Sequence, residues 1–256
     1  MNVNADALPA ESRNVSIYPC TRRQFVRAFC WIAVSSRFLS HESLFLAEIH
    51  AQPASDIGIF RVNLTSFPVL RNTFGSVRLR VTGMPSSFPQ IIITRMPDDI
   101  FFAVTARCTH DSCNVGTYST STGVMTCPCH GARFLPDGTV VRGPANEPLT
   151  QYVVQYEVPD FLSIEIPGLG FQITGAIVLV GENNVPRYRL SFPTVSGVNY
   201  EVCFRESLAA GAWARIPFST TPTGAATSTV HSGDGAPATV YVDRDASTGF
   251  YAVARL

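Results

Sequence analysis

The sequence predicts an all-β protein built in two consecutive parts. Phe, Tyr, Val and Thr recur in short alternating runs, and these residue types suit a pleated, half-buried surface. Glycines and prolines, 18 of each, punctuate the runs at turn-like intervals. No stretch between residues 58 and 167 carries a convincing helical period. A chain of 256 residues has room for one large domain or two small ones. Its apolar fraction is 46%, its charged fraction 15% and its formal net charge zero, so nothing suggests the basic face that a nucleic-acid partner would need.

The first segment reads as a leader. From Thr21 it runs TRRQFVRAFCWIAVSSRFLS, with adjacent arginines at Arg22 and Arg23, a phenylalanine at Phe25 and a short apolar stretch from Ala28 to Val34. That pattern looks like a twin-arginine export signal. The stretch falls short of the roughly 20 apolar residues of a membrane span, and Arg37 interrupts any continuation of it. Residues 1–50 are therefore assigned to a signal and leader outside the fold, with processing expected near Ala51, which would remove Cys20 and Cys30.

Strands come next, in order. GIFRVNLTSF from Gly58 alternates loosely, and GSVRLRVTG from Gly75 alternates cleanly between two glycines. PQIIITRM (89–96) and DIFFAVTARC (99–108) form a hairpin around MPDD. Asp137–Gly138 is a turn, and LTQYVVQYEV (149–158) pairs with FLSIEI (161–166). Composition shifts at PGLG (167–170). The remaining residues, 171–256, hold short strands between Gly-, Ser- and Thr-rich turns, which suits a small β-sandwich. The boundaries drawn are 51–167 and 171–256.

Chemistry concentrates in two clusters, CTHDSC (108–113) and CPCHGARF (127–134). Cys108 and His110 are two apart and Cys127 and His130 three apart, spacings at which a bent loop can aim both side chains one way. Two thiolates and two imidazoles can bind one tetrahedral zinc, or the two irons of a [2Fe–2S] cluster. Cys113 and Cys129 are left over, one in each cluster.

CTHDSC, then CPCHG, then GPA at Gly143–Ala145, resembles the Rieske iron–sulfur proteins, in particular the branch found in quinol–cytochrome c reductases; the resemblance covers roughly residues 58–167. It implies three small antiparallel sheets with a [2Fe–2S] cluster at a tip. Cys108 and Cys127 would bind the buried iron, and His110 and His130 the outer one. Cys113 and Cys129 would form a disulfide between the two loops. Gly143, Pro144 and Ala145 would form a loop covering the cluster. An oxidised site with two thiolates is neutral overall, whereas one with four thiolates is already negative, so imidazole ligation makes electron uptake easier. Imidazole also titrates, which could couple electron to proton uptake.

The chain departs from the high-potential members at two positions. Where those carry a serine and a tyrosine that donate hydrogen bonds to sulfur, this sequence has Ala132 and Phe134, which cannot donate. The expected potential therefore lies in the lower to middle part of the Rieske range. The implied role is electron transfer from a quinol or redox enzyme to a cytochrome-type acceptor, in an exported setting, with a membrane complex as one arrangement. Alternatives are the small subunit of an arsenite-oxidase-like enzyme, a freestanding periplasmic carrier, or a structural zinc module. Catalysis by the chain alone is not expected. A Rieske oxygenase also needs a mononuclear iron held by two histidines and a carboxylate, and only His231 lies downstream.

The last part, with LSFPTVSGVNYEV, AWARIPF and GFYAVARL, resembles a module at the C-termini of exported proteins from Verrucomicrobia and related bacteria, which looks like an immunoglobulin- or fibronectin-like sandwich. Tyr200, Phe204, Trp213 and Phe218 read as its core, the alternative being an exposed Trp213 that serves as a binding platform. Cys203 reads as a small buried hydrophobe.

Overall fold

The structure, a computed structural model, describes residues 57–207, 211–243 and 248–256, with the backbone of two short strands before them. Those two are β1 (Ile32–Ser35) and β2 (Glu48–Ile49). The first part then contributes β3 (Ile57–Asn63), β4 (Ser76–Leu79), β5 (Ile91–Arg95), β6 (Phe101–Thr105), β7 (Met125–Thr126), β8 (Arg133–Phe134), β9 (Val140–Arg142), β10 (Gln151–Glu157) and β11 (Phe161–Pro167). The second contributes β12 (Thr174–Val180), β13 (Val185–Phe192), β14 (Asn199–Arg205), β15 (Ala214–Arg215), β16 (His231–Ser232), β17 (Ala238–Asp243) and β18 (Thr248–Arg255). The protein is all-β, as its alternating runs predict. Among the described residues no helix is long and apolar enough to cross a membrane. The twin-arginine motif, Cys20 and Cys30 lie outside the described residues. β1 and β2, inside the expected leader, pair with β18 and β12.

In the first part, β4, β5 and β6 form an antiparallel meander that β10 extends, and β10 turns back through β11 to β3. Alternation decides which side chains go inward. Phe60 and Val62 of β3, Ile91 and Ile93 of β5, and Leu162, Ile164 and Ile166 of β11 share one core. Ile92 and Val104, on the opposite faces of β5 and β6, help build a second core beneath the small sheet β7–β8–β9. That small sheet carries the second cysteine–histidine cluster.

In the second part, β12, β13 and β17 form one sheet and β14 and β18 belong to another. Tyr188, Leu190, Val240 and Val242 from the first meet Tyr200, Val202, Tyr251 and Val253 from the second, as in a sandwich. Tyr200 and Phe218 are fully buried in this core, and Phe204 packs against it. The binding platform is thereby corrected: Trp213 is 0% exposed, packed with Ile59, Cys203, Ala252 and Ala254, with Arg205 stacked on its ring. Cys203 is a buried neutral thiol whose pKa burial pushes up to about 12.

One feature joins the parts. β18 pairs with β3 in parallel, Ala254 with Ile59 and Arg255 with Phe60, so one 11-stranded sheet runs through both. Leu169, between the parts, is buried, and its carbonyl oxygen lies 2.5 Å from where a Cβ on Gly58 would stand, a close approach that only glycine permits. Above that junction Arg61 of β3 is buried between Glu201 of β14 and Glu157 of β10, and Arg215 donates to the other oxygen of Glu201 at 3.0 Å. Burial pushes the Glu157 carboxyl upward, while hydrogen bonds from Ser163 and Arg61 oppose it.

Removing one member of a buried ion pair leaves the other uncompensated. Glu201→Gln is expected to lower unfolding stability by about 3 kcal/mol in urea titration. Arg71→Ala, which breaks the partly exposed pair with Asp160, should cost under about 1 kcal/mol. Similar small losses in both would mean the buried network does not hold the parts together.

Candidate metal centre

The two cysteine–histidine clusters form two loops with one backbone frame. In the first, the N–H of Cys108 donates to the carbonyl of Cys113 at 2.8 Å, and that of Ser112 donates to Cys108 at 2.9 Å. In the second, Cys127 donates to Ala132 at 2.8 Å, and Gly131 to Cys127 at 3.0 Å. Each loop is flanked by a bridged pair, Arg107 with Asn114 and Thr126 with Arg133. The fifth residue of each adopts positive φ, 52° at Ser112 and 73° at Gly131. That conformation is the left-handed one, which glycine enters without penalty and serine seldom takes.

This frame sorts the side chains. The thiols of Cys108 and Cys127 turn inward, 2% and 1% exposed, into a core with Val115, Met125, Phe134 and Leu149. The imidazoles of His110 and His130 stay exposed, with ring centroids 4.7 Å apart in an edge-to-face arrangement. Asp111 places a carboxylate oxygen 4.0 Å from Nδ1 of His130. A disulfide joins Cys113 to Cys129, 16 residues apart in sequence, so the two loops are covalently tied. Burial pushes the Cys127 thiol up; the backbone N–H groups of Cys129 and His130 pull it down, and a hydrogen bond with Cys108 adds to the rise.

The flanking residues are also placed. Ala145 is buried in the same core as the two thiols, whereas Gly143 and Pro144 are exposed. The Thr109 hydroxyl donates to the carbonyl of Glu147 at 2.7 Å, tying the first loop to this third segment. Ala132 and Phe134 are fully buried, so no side-chain hydroxyl from either position reaches the thiols. Sequence reasoning overlooked Thr109 and Asp111. Both lie inside CTHDSC, and their polarity within a cysteine–histidine loop was the available signal.

These donors fit a two-iron cluster. The four donors come as two pairs, buried thiols that hydrogen-bond each other and neighbouring exposed imidazoles. A [2Fe–2S] cluster of the two-histidine type asks each iron for two protein ligands, thiolates on one and imidazoles on the other.

Residues 72–153 match the Rieske [2Fe-2S] domain family. This region is a Rieske-type domain. It is 44% identical over 55 residues to the cytochrome b6-f complex iron-sulfur subunit of Chlorobaculum tepidum, covering 22% of this chain and 30% of that one. It is 34% identical over 83 residues to the cytochrome b6-f complex iron-sulfur subunit 1 of Synechocystis, covering 32% and 45%. Among solved structures, the cyanobacterial plasma membrane Rieske protein from Synechocystis matches at 26% identity, over 40% of this chain and 97% of that one, with a TM-score of 0.32. The chain spans less than half the length of these curated relatives. Its Rieske-type domain is related to the iron–sulfur subunits of cytochrome b6-f complexes.

The loops' covalent tie should be worth about 3 kcal/mol, the chain-entropy value for closing a loop of this size. The Cys113→Ser, Cys129→Ser double variant is expected to lose about that much in urea titration. A loss below about 1 kcal/mol would show that the backbone frame and core hold the loops unaided.

Proposed function

We propose that this protein transfers electrons through a [2Fe–2S] cluster held by Cys108 and Cys127 on one iron and His110 and His130 on the other. The carrying observation is the division of the four donors, thiols in an apolar core and imidazoles at the surface, on two loops clamped by the Cys113–Cys129 disulfide. When bound, such a cluster accepts and releases one electron. The chain's own groups do the rest. Val115, Met125, Phe134 and Leu149 keep water from the sulfur side, where backbone N–H groups of Cys129 and His130 point at the Cys127 sulfur and favour negative charge there. The exposed imidazoles offer the point of closest approach to a redox partner. Ala145 packs behind the thiols, in keeping with a covering role for the Gly143–Ala145 loop.

The partners we infer are a quinol or redox enzyme as donor and a cytochrome-type acceptor. The names of the related subunits and the ligand pattern support a membrane complex as the setting. A disulfide persists in oxidising compartments, which supports a site in the periplasm or on the outer face of the cytoplasmic membrane. Residues 171–256 would form an accessory sandwich domain on the Rieske-type base at 51–167.

Purified full-length protein should contain iron and acid-labile sulfide in equal amounts and give a rhombic EPR signal on reduction. Zinc without sulfide would overturn the reading. The midpoint potential should fall well below about +300 mV, the top of the Rieske range. Phe134→Tyr should raise it by roughly 40 mV, the equivalent of one hydrogen bond worth about 1 kcal/mol. No rise, or a wild-type midpoint already near the top, would show that these two positions do not set the potential.

A further inference from the structure

The small sheet β7–β8–β9 turns one face to the core under the cysteine–histidine loops and the other to solvent. Met125 and Phe134, paired across β7 and β8, are buried in that core. The outer face carries a row of three exposed residues: Thr126 stands opposite Arg133, and Arg133 opposite Arg142. Directly opposed residues on neighbouring strands project from the same face, so the two guanidinium groups are held side by side. Like charges in that position cost stability.

Elsewhere in the Rieske-type part the arginines have internal partners. Arg61, Arg71 and Arg95 meet carboxylates, and Arg78, Arg80 and Arg107 donate to backbone carbonyls. Arg133 and Arg142 form no ion pair, side-chain hydrogen bond or ring contact among the described residues. The carboxylates of this end of the domain do not meet them. Asp111 faces Nδ1 of His130 at 4.0 Å, Asp137 accepts from the N–H of Thr139 at 2.9 Å in the β8–β9 turn, and Glu147 forms no ion pair among the described residues. Leu135 and Val141, in the same hairpin, leave apolar side chains exposed. Arginine beside exposed apolar side chains is the composition of a protein-binding patch. We propose that this face docks an acidic protein surface, whose carboxylates pair with Arg133 and Arg142 while Leu135 and Val141 supply apolar contact. Arg133 lies three residues past His130, and Arg142 directly precedes Gly143, so a partner seated here adjoins the exposed imidazoles. That this partner exchanges electrons rests on the electron-transfer reading; its acidic character rests on the arginines alone.

The test is an anisotropy titration of fluorescein-labelled octaglutamate with the full-length protein. Saturable binding is expected at low ionic strength, weakening as salt is added, with none for labelled octaglutamine. The Arg133→Gln, Arg142→Gln double variant should weaken binding at least tenfold, as loss of charge-assisted contacts would. Arg189→Gln, at an exposed position on β13, should leave it unchanged. Relief of the like-charge opposition should leave the double variant's melting temperature equal to or above the wild type's. Val141→Glu keeps both arginines, sets a carboxylate beside Arg142 and should cause a similar loss, an independent reading should the double variant melt early. No saturable binding, equal binding of octaglutamine, or affinity unchanged in both the double variant and Val141→Glu would overturn the proposal. Iron and sulfide analysis of the same preparation separates the two readings. A protein with its cluster that does not bind the peptide loses only the docking face. One that binds through the two arginines but holds no iron loses only the electron-transfer role.

Discussion

The Cys113–Cys129 disulfide constrains everything at the tip of the Rieske-type domain. The loops it joins are short and rich in Gly, Pro and polar residues, so they bury little surface of their own. Inward thiols and outward imidazoles require both loops to keep fixed orientations on the same small core. A covalent tie achieves this by removing conformations in which the loops separate. The core beneath completes the arrangement: Ala106, Val115 and Met125 sit under the loops, and Ala145 arrives from the third segment.

A second constraint acts at the other end of the domain. Arg61 occupies a face of β3 that alternation directs toward the C-terminal sheet, beside Ile59. A lone cation there would be prohibitive, and two carboxylates from opposite parts of the chain, Glu157 and Glu201, make it tolerable. Such a network is weak evidence for net stability, because desolvation of the charges offsets much of their attraction. Its more secure consequence is register. Arg61 meets Glu201 only when the second part docks in one position, and the parallel pairing of Ala254 with Ile59 agrees with that position.

The two cysteine–histidine loops were legible in the sequence because their information is local. Cys108 and His110, and Cys127 and His130, sit on single loops, and strand alternation with glycine punctuation located the sheets that carry them. The junction was not legible. Arg61 and Glu201 are 140 residues apart, and a buried arginine in an alternating strand reads the same as an exposed one until its partner strand is known. The β3–β18 pairing is likewise set by tertiary packing, and neither strand carries a mark for the other. At PGLG, where composition shifts, Leu169 is buried against Gly58 because β11 delivers it directly beside β3.

The two loops share a backbone and differ in side chains, and that difference explains their division of labour. With Cys108 and Cys127 as first residues, the frame brings the sixth residue back to the first and demands positive φ at the fifth. The first position is therefore buried in both loops. The histidine falls third in one loop and fourth in the other, and the disulfide cysteine sixth in one and third in the other. A repeat of identical side chains would offer two equivalent surfaces. The offset instead brings the imidazoles together on the exposed side while the remaining cysteines meet across the loops. Ala132, at the sixth position of the second loop, closes that loop through its carbonyl while its side chain adds only a methyl group to the core. Backbone closure at this position does not depend on the side chain, so a hydroxyl can be absent here without loss of the loop.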